Sequence, residues 1–269
     1  MRRAAVLGRP VGHSLSPVLH AAAYAALGLD WAYTAIDCGA DELARVLAGF
    51  GPDWAGLSLT MPLKRAALAF ADEVDPLAAA VGAANTLVLG ERRVAYNTDV
   101  AGIAAALREA GLSAPGSAVV LGAGGTAQAA LAALGTLGVR APVVLVRDPA
   151  RAGALLRTAA RLDLEPDLRA GLPGPIPDAE LVISTLPAGA ADELTPPGTV
   201  VLDVIYAPWP TRFAATAAGR GATVVSGLAM LLHQAAAQVE LMTGRTAPVE
   251  AMRAALRART EKPATPPTT

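Results

Sequence analysis

The chain has a single cysteine, Cys38, among 269 residues, so no disulfide can form within it; this fits a reducing compartment. Cys38 itself reads as a core residue ahead of a reactive one. Histidine is also scarce. His13, His20 and His233 show no close ligand spacing and no cluster of cysteines or carboxylates beside them, so no metal site is expected. Neither sign of charge prevails, since 22 lysines and arginines meet 23 aspartates and glutamates for a net charge of -1. Without a basic surplus or a block of like charges there is no footprint for nucleic acid or for an acidic membrane, and the expected partner is a small molecule. No unbroken apolar run reaches the ~20 residues of a membrane span. The stretch between Glu109 and Arg140 carries no charge, yet Pro115, Gly116, Ser117, the glycine cluster at 122–125, Thr126 and Gln128 interrupt it. After Met1-Arg2-Arg3 the apolar run ends at Gly8-Arg9-Pro10, too short for a signal-peptide core, and a cytoplasmic protein is expected.

At this length the chain can bury two cores. Its most informative stretch is Val119-Val120-Leu121-Gly122-Ala123-Gly124-Gly125-Thr126-Ala127, an apolar β-type run that breaks into glycines and then into an alanine-rich helical pattern. Gly122, Gly124 and Ala127 fit G-x-G-x-x-G/A. The first glycine permits a tight turn, the second lets backbone N–H groups approach a pyrophosphate, and the small third residue lets helix pack on strand. An anion there meets the unsatisfied N–H groups and the positive dipole end of the helix. Such a motif can also be a glycine-rich turn between core elements, but a strand before it and a helix after it favour dinucleotide binding.

Ahead of this loop, strands are expected over 4–7, 32–37 and 56–59, and helices over 17–27, 41–48 (with acidic residues in its first turn) and 62–71. The alternation implies a parallel sheet that binds ligands beyond the carboxyl ends of its strands. Pro17 suits a first helical position and Ser16 its N-cap. Capping does not explain Ser14, and two hydroxyls beside a helix N-terminus could hold a carboxylate. Thr60 and Lys64 follow the third strand. Lys64 is by default a solvated charge, but the helix dipole mildly disfavours a cation there, so something should compensate for it. Residues 81–88 read as a loop entering a strand, with 93–96 as its hairpin partner. Asn97-Thr98-Asp99 then either caps a helix over 100–110 or does chemistry, and by itself capping has the edge.

Beyond the loop a helix runs to 137, and a strand over 142–146 ends in Arg147-Asp148-Pro149-Ala150-Arg151, where a dinucleotide domain reads the adenosine ribose. A carboxylate there accepts from ribose hydroxyls, whereas arginine pairs with a 2′-phosphate. Asp148 has another task available as N-cap before Pro149, so NADP is favoured over NAD. Strands over 181–183, 200–205 and 222–225 end in turns expected to line the cofactor cleft. Helices over 227–242 and 248–258 close the fold, the second with Arg253, Arg257 and Arg259 exposed. Residues 261–269, rich in proline and threonine, read as a disordered tail.

Together these segments resemble the shikimate dehydrogenase family, in order along the chain, at 8–20, 56–64, 82–86, 97–102, 122–127, 203–211 and 227–244. The resemblance implies an α/β fold of two domains: an α/β substrate domain with a mostly parallel sheet (1–100 and 236–260) and a Rossmann-type NADP-binding domain (101–235), with a cleft between them. It further implies NADP-linked interconversion of 3-dehydroshikimate and shikimate in chorismate and aromatic amino-acid biosynthesis. Ser14 and Ser16 match the family's substrate-carboxylate serines. Thr60, Asn85 and Gln234 match its other substrate contacts, joined by Tyr206, its tyrosine after a strand. Lys64 with Asp99 matches its catalytic pair. Gly122, Gly124, Gly125 and Ala127, with Thr126 among them, match its phosphate loop. Arg147 and Arg151 match its 2′-phosphate arginines, with Asp148 in the same cofactor segment, and Gly227 and Met230 its nicotinamide wall. Negative charge grows on the carbonyl oxygen as hydride reaches the ketone carbon, and Lys64 is the expected proton donor.

Three departures accompany the match. Ser58-Leu59-Thr60 stands where the family usually has Asn-Val-Thr, which costs Ser58 a hydrogen bond that orients the site. Val146-Arg147-Asp148 replaces Asn-Arg-Thr and puts a negative charge beside the adenosine phosphate. Ser184 replaces a common asparagine. Asp148 keeps open an NAD-using quinate/shikimate dehydrogenase. A catalytically silent NADP-binding sensor is a further alternative, against which Lys64 and Asp99 stand together. Monomer and homodimer are both open.

Overall fold

A computed structural model of the chain describes residues 1–197 and 200–261; the tail expected over 261–269 lies, beyond Glu261, outside them. The first half alternates β1 (Arg2–Gly8), α1 (Ser16–Ala26), β2 (Trp31–Asp37), α2 (Leu43–Ala48), β3 (Trp54–Leu59), α3 (Leu63–Ala66), β4 (Glu73–Val74) and α4 (Pro76–Val81), then forms the hairpin of β5 (Thr86–Val88) and β6 (Val94–Tyr96). These strands make one sheet in the order β2-β1-β3-β5-β6-β4. β1 is parallel to β2 and β3, and β4 to β6, while β3–β5 and β5–β6 are antiparallel. Parallel strands at the centre of a covered sheet are apolar on both faces, and residues 4–8 of β1 are buried without a break.

α5 (Asp99–Glu109) carries the chain to a second sheet, built from β7 (Ala118–Leu121), α6 (Gly125–Thr136), β8 (Val143–Val146), α7 (Gly153–Arg161), β9 (Asp167–Ala170), β10 (Leu181–Ser184), β11 (Val200–Asp203), α8 (Arg212–Gly219) and β12 (Thr223–Ser226). Every pairing is parallel and the order is β12-β11-β10-β7-β8-β9. The chain therefore starts at the centre, winds outward, and returns to the other side of β7. This is the doubly wound order whose crevice opens between the carboxyl ends of the two central strands, here β7 and β10. α9 (Gly227–Thr243) and α10 (Val249–Thr260) then turn back. Met230 packs into the core of the second sheet, but Leu232, Ala235 and Val239 pack with Leu19, Ala23 and Tyr24 of α1 and with Met252 and Leu256 of α10. Among the described residues no helix is long and apolar enough to cross a membrane.

Several local expectations are revised. Leu15, and not Ser16, holds the N-cap position of α1; Ser16 is already helical and its N–H donates to Ser14 Oγ at 3.3 Å. The helix expected over 62–71 is the single turn α3 followed by a 3-10 turn, Ala67–Phe70. The chain must extend at Ala71, because the N–H groups of Asp72 and Glu73 both donate to Arg93 O to bring β4 beside β6. α2 begins at Leu43, and Glu42 before it accepts from Gly39 N and Arg9 instead of serving a first turn. Arg253 is not free: it pairs with Glu109 at 2.8 Å and Glu250 at 3.3 Å, tying α10 to α5. β4, α4, α7, β9 and α8 had no counterpart among the expected elements, although Asp75 before Pro76 and left-handed Gly82 after Val81 are an ordinary helix start and stop.

Candidate active site

β3 ends at Leu59. Thr60 N–H donates to Leu7 O at 2.9 Å and Leu63 N–H to Thr60 O at 2.8 Å, so the chain turns at once into α3, with Leu63 buried beneath and Lys64 facing the cleft. A single turn has little dipole, and the compensation for Lys64 comes from elsewhere. Lys64 Nζ donates to Asp99 Oδ2 at 2.6 Å; the lysine side chain is 23% exposed and the carboxylate 7%. So enclosed, an ion pair is weakly screened, but both charges lose hydration, and further hydrogen bonds must offset that loss. Asn85 Nδ2 donates to Asp99 Oδ1 at 2.9 Å. Asp99 is the first residue of α5, where the dipole favours an anion, and its N–H donates to Asn97 Oδ1 at 3.1 Å. Asn97 Nδ2 donates in turn to Ala83 O at 2.8 Å. Asn97-Thr98-Asp99 thus both organises the helix start and presents a carboxylate.

α5 and α9 cross closely because residue 102 is glycine. A Cβ there would lie 2.8 Å from both Gln234 Cβ and Met230 O, so a larger residue would push α9 away and break the Asn85 Nδ2 to Gln234 Oε1 contact of 3.3 Å. Ser14, Ser16, Thr60, Lys64, Asn85, Asp99, Thr126, Tyr206, Gly227, Met230 and Gln234 consequently line one cleft of about 210 Å³. Burial pushes the Tyr206 phenol up.

Ser58 and Gln238 also line this cleft. Tyr33 OH donates to Ser58 Oγ at 2.6 Å and Ser58 Oγ donates to Gln238 Oε1 at 2.7 Å. Gln238 Nε2 donates to Asn85 O at 3.1 Å and Thr86 Oγ1 at 3.0 Å. The lost hydrogen bond expected at Ser58 is therefore not lost, because Gln238 reaches in from α9 to meet the shorter side chain. The signal for Gln238 was in the sequence: it follows Gln234 by four residues in an apolar helix, so both point the same way. His20 stacks on Tyr33 with ring centroids 3.9 Å apart and lies 3.3 Å from Gln238 Oε1 through Nε2. Burial pushes the His20 imidazole down to about 3, so the ring is neutral; Nε2–H donates to Gln238 and Nδ1 accepts from Tyr24 OH.

Gly122, Gly124, Arg147, Asp148 and Arg151 line a second opening of about 360 Å³ at the crevice. Gly122 has φ +104, and a Cβ on it would meet Thr185 Oγ1 at 2.8 Å, so the tight turn needs glycine twice over. Thr185, absent from the expected site, is held there by donating to Leu121 O at 2.7 Å. A Cβ on Gly124 or Gly125 would meet nothing within 4 Å, which leaves room above the start of α6 for a phosphate group. Gly125 opens α6 but lines neither opening, and Ala127 is buried in the core between helix and sheet, so its part is packing. Asp148 Oδ1 accepts from Ala150 N–H at 3.0 Å as cap of the 3-10 turn Pro149–Ala152. Ser184 Oγ is buried without a hydrogen-bond partner among the described residues, so that departure does leave a polar group unmatched.

A doubly wound dinucleotide domain, a mixed α/β partner domain and a lysine–carboxylate pair between them make up a nicotinamide-dependent oxidoreductase. Models of the "Shikimate dehydrogenase substrate binding domain" and the "Shikimate 5'-dehydrogenase C-terminal domain" match residues 6–87 and 227–257. The chain is 42% identical over 270 residues to the shikimate dehydrogenase (NADP(+)) of Moorella thermoacetica, covering 94% of this chain and 92% of that protein. Shikimate dehydrogenase of Mycobacterium tuberculosis superposes with a TM-score of 0.87 at 47% identity, over 96% of this chain and all of that one (100%). The Thermus thermophilus enzyme in complex with NADP(H) and shikimate superposes with a TM-score of 0.82 at 36% identity, over 97% and 100% of the two chains. The chain belongs to the shikimate dehydrogenase family.

Proposed function

We propose that this protein is an NADP-dependent shikimate dehydrogenase, which reduces 3-dehydroshikimate to shikimate reversibly in chorismate and aromatic amino-acid biosynthesis. The observation that carries this reading is the Lys64–Asp99 ion pair of 2.6 Å, set in a cleft that also holds Thr126 of the glycine loop segment and Met230 of α9. Ser14 and Ser16 present hydroxyls for the substrate carboxylate, and Thr60, Asn85, Tyr206 and Gln234 orient the ring. NADPH, when bound, supplies the hydride; the glycine loop suits its pyrophosphate, Arg147 and Arg151 its 2′-phosphate, and Gly227 with Met230 the nicotinamide face. Lys64 Nζ donates the proton that the carbonyl oxygen takes as it becomes a hydroxyl, and takes one back in oxidation. Asp99 holds the ammonium in place and balances its charge until the proton leaves, and favours its return to Lys64 afterwards.

The domain division at 1–100 with 236–260 and 101–235 is part of the proposal; a two-part division is supported by the change of core along α9, which falls between Met230 and Leu232, a few residues ahead of 236. So are a cytoplasmic location and action as a monomer or homodimer, which sedimentation would distinguish. The decisive experiment measures initial rates with shikimate and quinate crossed against NADP and NAD. Turnover with shikimate and NADP is the expected result. Preference for NAD or for quinate would move the protein to the quinate/shikimate branch, and NADP binding without turnover would make it a sensor.

A further inference from the structure

A third opening, about 420 Å³, lies where α3 and α4 meet α6 and α7, and it shares no lining residue with the two already described. Three arginines line it, Arg65, Arg157 and Arg161, and among the described residues no carboxylate does. Among the described residues none of the three forms an ion pair. All three arginines are exposed, so solvent screens their mutual repulsion, and the mouth of the pocket presents positive charge that an anion can meet.

Two of them are fixed in place. Arg65 Nη2 donates to Gln128 Oε1 at 3.0 Å, Gln128 Nε2 to Thr158 Oγ1 at 3.2 Å, and Thr158 Oγ1 to Val81 O at 2.9 Å. This relay runs from α3 through α6 and α7 back to the end of α4, with Gln128 and Thr158 buried. Arg161 Nη1 lies 3.3 Å from Ala79 O and 3.5 Å from Ala80 O at the same end of α4. Each guanidinium has five N–H donors and spends few of them here, so a fork remains for a ligand. Arginine forks match the oxygens of a phosphoryl group two at a time.

We propose that this pocket is an anion site for a phosphoryl group, which takes inorganic phosphate or the phosphate ester of a small metabolite and bridges the two domains through Arg65, Arg157 and Arg161. The test is calorimetric titration of protein saturated with NADP, so that the glycine loop and Arg147 and Arg151 are already engaged, with inorganic phosphate and glycerol 3-phosphate as separate titrants. Saturable binding is expected, weakened at least about tenfold in R157A, which removes no hydrogen bond of the fold, and lost in R157A/R161A. Phosphate should also raise the melting temperature of the NADP-loaded wild type and leave that of the double variant unchanged. Whichever titrant binds tighter identifies the inorganic anion or the ester as occupant. Absence of saturable binding with both titrants, or binding that survives the double substitution, would overturn the assignment.

Discussion

Lys64 Nζ and Asp99 Oδ2, 35 positions apart in sequence, meet at 2.6 Å because α3 and α5 both begin at the edge of one cleft. If this pair moves the proton, Lys64→Ala lowers kcat by roughly two to four orders of magnitude, the usual range for such groups, with a much smaller change in KM. Asp99→Asn keeps the shape, removes the counter-charge, and should lower kcat in the same direction. Steady-state kinetics at saturating cofactor checks both, and near-normal kcat in Lys64→Ala would take Lys64 out of the chemistry.

Ser58 and Gln238 form a matched pair. Gln238→Leu removes the acceptor of both the Ser58 hydroxyl and His20 Nε2–H, while Asn85 O keeps Leu59 N–H and the Thr86 hydroxyl keeps Asn85 Oδ1, and should destabilise the fold by about 1–3 kcal/mol. Ser58→Asn alone should also be unfavourable, since its longer amide meets Gln238. The two changes combined as S58N/Q238A should recover part of the loss. A double-mutant cycle by urea unfolding reads the coupling, expected above about 0.5 kcal/mol for groups in one network; simple additivity would separate them.

Arg151→Ala should raise KM for NADP by roughly ten- to a hundredfold and leave KM for NAD nearly unchanged, as loss of charge-assisted hydrogen bonds to a 2′-phosphate predicts. Asp148 accepts from Ala150 N–H, so Asp148→Ala should cost about 0.5–2 kcal/mol of stability through the lost cap. It should also improve NADP over NAD by removing a negative charge beside the phosphate. A fall in kcat/KM for NAD alone would mean that Asp148 reads the ribose instead.

His20 gives the protein an acid-sensitive core. Burial holds its folded-state pKa at about 3, below the ordinary 6.5, so between these values the unfolded chain binds the extra proton. The stabilisation is present above pH 6.5 and is lost as pH falls toward 3, at about 1.4 kcal/mol per pH unit once below the unfolded value. The carboxylates held low by partners, Glu42, Asp72, Glu109 and Asp167, lose their contributions only at and below the ordinary carboxylate range. Urea unfolding at pH 6.5 and about pH 5 should therefore show a loss of about 2 kcal/mol that His20→Gln removes. An equal slope in that variant would assign the effect to another group.

Much of this protein is legible along the chain because its signals are local. The glycine spacing at 122–127 dictates a turn and an open helix start whatever surrounds it, and buried parallel strands such as β1 and β10 announce themselves as short apolar runs. Asp148 before Pro149 caps as a local motif should. Other features belong to no segment. Lys64 finds its counter-charge on another helix, and Asn85 meets Gln234 only because Gly102 lets α9 approach α5. Ser58 reads as a deficit until Gln238, 180 positions away, fills it. Arg253 reads as surface charge until Glu109 is placed beside it. Propensity, capping and motif spacing act over a few residues and so can be read in order. Hydrogen-bond partners, ion pairs and shared cavities depend on which faces the packing of the two sheets brings together, and those were decided only by the tertiary structure.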